Sequence, residues 1–142
     1  MEGQIKIKVL ICDDFPPILD VIHQMLKRTP SIEVVGTAED GIQAVKKTMD
    51  LNPDVVLMDF QMPGLNGVDA TRLIKMARKD TKVLLLTAEN REEVLIPCLQ
   101  AGASDCLSKP FSPHDLIRTI VSMQRGKRLA KPEGPASMAA TA

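Results

Sequence analysis

Short apolar runs alternate along the chain with segments whose apolar positions recur at helical spacing. Ile7–Cys12 is a compact strand-like run that stops at Asp13-Asp14. After Phe15, Pro16 and Pro17 come Ile18, Val21, Ile22, Met25 and Leu26, which share one face of a helix. The prolines suit a first turn, where a missing N–H is harmless, and Pro30 closes the segment. Ile32–Ala38 reads as a second strand, with Glu33 near an edge. Ile42, Val45 and Met49 repeat helically after Gly41. Pro53 then precedes an apolar strand over 55–58 that ends at Asp59.

The stretch Met62-Pro63-Gly64-Leu65-Asn66-Gly67 is rich in turn residues. Asn66 is placed to cap a helix that turns Ala70, Leu73, Ile74 and Ala77 inward. A fourth buried strand covers 83–86 and closes at Thr87. Asn90, with Glu93 three residues on, marks a helix start, and Gly102 suits the position just past its end. Asp105–Ser108 is a short fifth strand followed by Lys109-Pro110. Ser112, Pro113 and Asp115 then supply a cap, an N1 proline and an acidic N3 residue. Leu116, Ile117, Ile120 and Val121 are the buried face of the last helix, whose pattern stops at Gly126.

Strands that alternate with helices imply a parallel sheet covered on both faces. The absence of alternation in Val55-Val56-Leu57-Met58 fits a strand buried on both sides. The expected fold is therefore α/β: a doubly wound five-stranded parallel sheet in the flavodoxin-like order 2-1-3-4-5. Its switch point lies between strands 1 and 3, at their C-terminal ends.

The length of 142 residues suits one domain over 5–125, with 126–142 a flexible tail or truncated linker. Eighteen basic and eighteen acidic residues balance, which argues against general nucleic-acid binding by this segment. The tail cluster Arg125, Lys127 and Arg128 reads as complementing a helix C-terminus. Trp and Tyr are absent, so aromatic stacking platforms are excluded. Cys12, Cys98 and Cys106 form no CxxC, and Cys12 and Cys106 lie in apolar runs, where a small buried thiol is the ordinary reading. No apolar run reaches the ~18 residues of a membrane span, and Met1-Glu2-Gly3-Gln4 opens no signal peptide. A reduced, cytoplasmic protein is expected.

The predicted strand ends carry the chemistry. Strand 1 ends in Asp13-Asp14, strand 3 in Asp59, strand 4 in Thr87 and strand 5 in Lys109. Any one of these is a common cap or turn residue; together, three carboxylates, a hydroxyl and an ammonium converge on one rim. Clustered carboxylates repel unless protonated or neutralised by a cation. Hard oxygen ligands suit Mg²⁺, which keeps waters and a substrate phosphate in its shell. The lysine and the hydroxyl would complete a phosphoryl-binding cup.

These segments resemble the receiver domain of two-component response regulators. Asp13-Asp14 is similar to that family's acidic pair after strand 1, and Asp59-Phe60-Gln61-Met62-Pro63 with Gly67 to its phosphoacceptor segment. Thr87-Ala88 resembles its switch hydroxyl and small neighbour. Ala101-Gly102-Ala103 and Lys109-Pro110-Phe111 resemble the segments around strand 5.

The resemblance implies that Asp59 takes a phosphoryl group from a sensor histidine kinase, a phosphotransfer protein or a small phosphodonor. It implies Mg²⁺ held by Asp13, Asp14, Asp59 and the Gln61 carbonyl. It implies phosphoryl binding by Thr87, Ala88 and Lys109, a cis bond before Pro110, and tuning of dephosphorylation by Gln61 and Glu89. A downstream output protein or domain and a phosphorylation-dependent homodimer are implied as partners. Two positions depart from the family: Cys106 stands where many members carry an aromatic switch residue, and Pro97 falls inside the expected fourth helix, either in its first turn or at a kink.

The expected function is a phosphorylation-controlled switch that catalyses its own phosphorylation and dephosphorylation and is otherwise no enzyme. One alternative is the receiver part of a larger DNA-binding regulator, although the 19 residues after Met123 are too few for such a domain here. A more distant alternative is an aspartate-nucleophile phosphohydrolase, but the adjacent Asp13-Asp14 pair and the missing cap insertion argue against it. A flavin module would need a Ser/Thr/Gly phosphate loop where Asp13-Asp14-Phe15-Pro16-Pro17 stands.

Overall fold

The computed structural model describes residues 5–88 and 91–129 and, within 125–129, the backbone. Its elements are β1 (Ile7–Cys12), α1 (Pro16–Lys27), β2 (Ile32–Ala38), α2 (Gly41–Leu51), β3 (Val55–Asp59), α3 (Gly67–Ala77), β4 (Lys82–Thr87), α4 (Glu92–Ala101), β5 (Asp105–Ser108) and α5 (Pro113–Leu129). The strands form one parallel sheet in the order β2-β1-β3-β4-β5. This is the doubly wound α/β fold expected from the sequence, and Glu33 is exposed on an edge strand.

Successive strand residues feed opposite faces. Val9, Ile11, Val55, Leu57, Leu84 and Leu86 pack with Leu19, Ile22 and Leu26 of α1 and Leu116, Ile120 and Met123 of α5. Leu10, Cys12, Val56, Met58, Val83 and Leu85 pack with Ala44 of α2, Ala70 and Ile74 of α3 and Cys98 of α4. Each fully buried Leu, Ile or Val contributes about 1.5–3 kcal/mol of transfer free energy.

Local signals set most helix starts. Pro16 and Pro17 occupy the first turn of α1. The Asn66 side chain accepts from Asp69 N–H at 2.9 Å, and the Ser112 hydroxyl accepts from Asp115 N–H at 3.0 Å. Gly102 ends α4 with φ of 104°. Asn90 lies outside the described residues; the N-cap position of α4 is Arg91, without a side-chain cap bond.

Four expectations need correction. On α3 the buried residues are Gly67, Ala70, Thr71 and Ile74, while Leu73 and Ala77 are exposed. Thr71 takes an inward place because its hydroxyl bonds the Gly67 carbonyl at 2.7 Å. On α2 the stripe is Gly41, Ala44 and Thr48, one residue off the Ile42–Val45–Met49 repeat, and Ile42 is exposed. Small residues there let the helix sit close to its neighbours. Pro97 stands inside α4, not in its first turn. Finally, α5 runs on to Leu129, past Gly126, because Lys127, Arg128 and Leu129 are good helix formers that need no buried face to continue it. Residues 130–142, most of the expected tail, lie outside the described residues.

Candidate functional site

The parallel order brings the C-terminal ends of β1, β3, β4 and β5 to one edge of the sheet. Two backbone bonds extend the ladders past the strands and so place the rim residues. Phe60 N–H donates to the Leu86 carbonyl at 2.9 Å, and Lys109 N–H donates to the Thr87 carbonyl at 2.8 Å. Lys109 and Pro110 are joined by a cis peptide bond.

The Lys109 ammonium donates to Asp59 Oδ1 at 2.6 Å and lies 3.8 Å from Asp13 Oδ2. Asp13 divides its carboxylate between two tasks. Its Oδ1 accepts from Phe15 N–H at 2.9 Å, satisfying the start of α1 where Phe15 has no capping side chain. Its Oδ2 is buried without a hydrogen-bond partner. Asp14 is exposed, and one oxygen from each of Asp13, Asp14 and Asp59 can be chosen so that all lie within 4.8 Å of one another.

Burial pushes both inner carboxyls above the ordinary carboxylate range. For Asp13, desolvation leads and the Asp59 and Asp14 charges add to it, against the Phe15 N–H and Lys109. For Asp59, desolvation again leads and Asp14 adds, against the Lys109 hydrogen bond and charge and the Gln61 N–H. One lysine therefore does not neutralise the cluster. An orphaned carboxylate oxygen beside two further carboxylates is a donor set that fits a hard divalent cation.

An open cleft of about 970 Å³ lies over this rim, and Asp13, Asp14, Asp59, Gln61, Thr87, Ala88 and Lys109 all line it. Thr87 is buried and Ala88 is exposed at the mouth. Pro110 is exposed outside the lining. Glu89 lies outside the described residues. The wall also holds Phe15, Pro63 and Pro97, which the sequence did not single out as site residues. Pro97 carries no local signal for this role, since it reaches the cleft only because α4 packs beside α3 and β5. Of the cysteines, Cys12 is fully buried as expected, Cys98 is fully buried too, and Cys106, expected to be buried, is half-buried.

Residues 9–121 match the family model described as the response regulator receiver domain. The chain is 35% identical over 127 residues to the response regulator GacA of Pseudomonas syringae, covering 89% of this chain and 59% of that protein. It is 44% identical over 118 residues to a protein-glutamate methylesterase/protein-glutamine glutaminase of Methanococcus maripaludis, covering 81% of this chain and 32% of that one. The signal receiver domain of the response regulator NarL from Mycobacterium tuberculosis superposes with a TM-score of 0.82 at 29% identity, covering 86% of this chain and 98% of that domain. Against the Bacillus subtilis regulator LnrK, as against GacA, the chain spans about three-fifths of the relative's length.

Proposed function

The chain belongs to the response regulator receiver domain family, and on that premise we propose that it is a phosphorylation-controlled switch whose phosphoacceptor is Asp59. The observation that carries the reading is the Lys109 ammonium held 2.6 Å from Asp59 and 3.8 Å from Asp13 within a cluster of three carboxylates.

Asp13, Asp14 and Asp59, with the Gln61 carbonyl, would hold Mg²⁺. Bound there, the ion supplies positive charge to the oxygens of the transferring phosphoryl group. An Asp59 carboxylate oxygen attacks phosphorus. The O–P bond forms as the bond to a histidine nitrogen or to the oxygen of a small acyl phosphate breaks, and the leaving group keeps the electron pair. Lys109 shifts its hydrogen bond from Asp59 to a phosphoryl oxygen. The Thr87 hydroxyl donates to another oxygen, and the small Ala88 side chain leaves room. The role proposed for Gln61 and Glu89, by resemblance to the family, is to tune the attack of the water that later cleaves the acyl phosphate.

The donor would be a sensor histidine kinase or a phosphotransfer protein, and the reader a downstream output protein or domain. Among the described residues no helix is long and apolar enough to cross a membrane, and a cytoplasmic setting is the reading we adopt. Residues 5–125 are the proposed functional unit. A second reading, the receiver part of a larger DNA-binding regulator, is supported by the match to GacA, of which the chain spans 59%. An enzyme fused to such a unit is the corresponding case for the methylesterase relative. Both leave the chemistry at Asp59 unchanged.

The test is incubation with acetyl phosphate. One phosphoryl group should be taken up in the presence of Mg²⁺ and none after chelation; uptake that ignores chelation would overturn the reading.

The raised carboxyls give a linked prediction. Between the ordinary carboxylate pKa and the folded values, the native state holds protons that the unfolded chain has released. This source of stability is full below the unfolded pKa and is lost as pH rises through the folded values. A divalent cation should restore it at neutral pH. Thermal unfolding should therefore show a Mg²⁺-induced rise in Tm that is larger at neutral than at acidic pH. Asp13→Asn should raise the Tm of the metal-free protein by a few degrees and shrink the Mg²⁺ effect. Equal Mg²⁺ effects in the two proteins would sink the role given to Asp13.

A further inference from the structure

Of the large apolar residues exposed among the described ones, Phe15 alone lines the cleft over Asp59. It is 57% exposed, so folding leaves much of the residue uncovered. Its backbone, by contrast, is held on both sides. The Phe15 N–H donates to Asp13 Oδ1 at 2.9 Å, and its carbonyl accepts from Ile18 N–H at 2.9 Å and from Leu19 N–H at 3.4 Å. Pro16 follows directly and confines Phe15 to the extended region it occupies, at φ of −113° and ψ of 101°. Three contacts carry this anchorage to the phosphoacceptor: Phe15 N–H to Asp13 Oδ1, Asp13 Oδ2 to the Lys109 ammonium at 3.8 Å, and that ammonium to Asp59 Oδ1 at 2.6 Å. Pro63 and Pro97 add rigid apolar rings to the lining. At about 970 Å³ the cleft has the size of a site for a whole organic molecule, more than a phosphoryl group and a hydrated ion fill.

We propose that Phe15 is a specificity-determining residue that favours phosphodonors whose leaving group is a flat ring, such as a phosphoimidazole, over donors with the same bond to phosphorus and no ring.

The inference rests on the phosphoacceptor role given to Asp59, and the direction of attack supports it. In-line displacement puts the leaving group on the far side of phosphorus from the attacking oxygen. Asp59 is buried at the end of β3, so the far side is the open mouth of the cleft, where the exposed Phe15 stands. A flat ring there gains an aromatic contact with the phenyl group. A phosphoimidazole protonated on its free nitrogen is also a cation, which the phenyl face attracts. As the O–P bond to Asp59 forms, the P–N bond breaks and the ring nitrogen keeps the electron pair. The ring leaves as neutral imidazole with its proton retained, so no other proton has to move. Ammonia leaving from phosphoramidate breaks the same kind of bond but offers no face to the phenyl. The fixed backbone of Phe15 lowers the ordering cost of the contact.

The experiment follows phosphoryl uptake by the full chain in excess Mg²⁺, read by intact mass, with phosphoimidazole and phosphoramidate supplied in turn. The ratio of the two second-order uptake constants should fall about fivefold in Phe15→Ala, the scale of one aromatic contact. It should fall also in Phe15→Leu, which keeps apolar bulk without the ring, and Phe15→Tyr should keep the wild-type ratio. A substitution that only disturbs Asp13 or Asp59 slows both donors together and leaves the ratio alone. A ratio that stays at the wild-type value in Phe15→Ala and Phe15→Leu, or that is lost in Phe15→Tyr, would overturn the role of Phe15 while uptake from acetyl phosphate keeps Asp59 in its own. No uptake by the wild-type chain from any of the three donors would overturn both.

Discussion

Asp59→Asn should reduce phosphoryl uptake from acetyl phosphate to background, a loss on the order of 10³-fold or more. The amide has the shape of the carboxylate but no anionic oxygen to attack phosphorus. Its geometry would otherwise persist, because Phe60 N–H still donates to the Leu86 carbonyl and holds the end of β3. The fold should survive as well. The Asp59 carboxyl is pushed up by burial, so removing its charge relieves a desolvation penalty while losing the 2.6 Å contact with Lys109. Intact-mass measurement over time, beside a thermal melt, separates the two outcomes. A variant that melts normally and still gains a phosphoryl group at the wild-type rate would remove Asp59 from the proposed role.

The second large effect is expected at a residue with no functional group. Gly67 opens α3, and a Cβ placed there would collide with the Asp59 carbonyl oxygen and come within 3.0 Å of the Phe60 oxygen and 3.1 Å of its Cα. These are backbone atoms and cannot swing aside. Gly67→Ala should cost about 3 kcal/mol through this overpacking. It should also move the carboxylate of Asp59, and a misplacement of about 1 Å at a reacting group lowers rates by roughly 10²-fold. Gly64 is the control. It has φ of +69° but nothing within 4 Å of a built Cβ. Gly64→Ala should cost only the left-handed backbone penalty, about 1 kcal/mol, and leave uptake unchanged. If the two alanine variants behave alike in melts and in acetyl phosphate uptake, the close approach of α3 to the end of β3 does not matter.

Much of this molecule is legible in the linear chain because the causes are local. The apolar runs of β1 and β2 and the strand over Asp105–Ser108 appear with the expected limits, since short runs of strand-favouring residues bounded by charged or turn residues mark a strand's ends locally. The caps at Asn66 and Ser112 and the glycine after α4 also act within a few residues. The acidic pair, Asp59, Thr87 and Lys109 could be assigned to one rim because parallel βαβ order sends every strand's C-terminal end to the same edge.

Tertiary structure decided the rest. Which stripe of α2 and α3 faces inward depended on how closely those helices approach their neighbours, so Gly41, Ala44 and Thr71 went in while Ile42 and Leu73 stayed out. A helical repeat allows both choices, and only packing distinguishes them. The division of Asp13 between Phe15 and the carboxylate cluster, and the place of Pro97 on the cleft wall, join residues from different elements. Spacing along the chain carries no record of such contacts, because the distance between two elements is set by the whole sheet and the helices stacked on it.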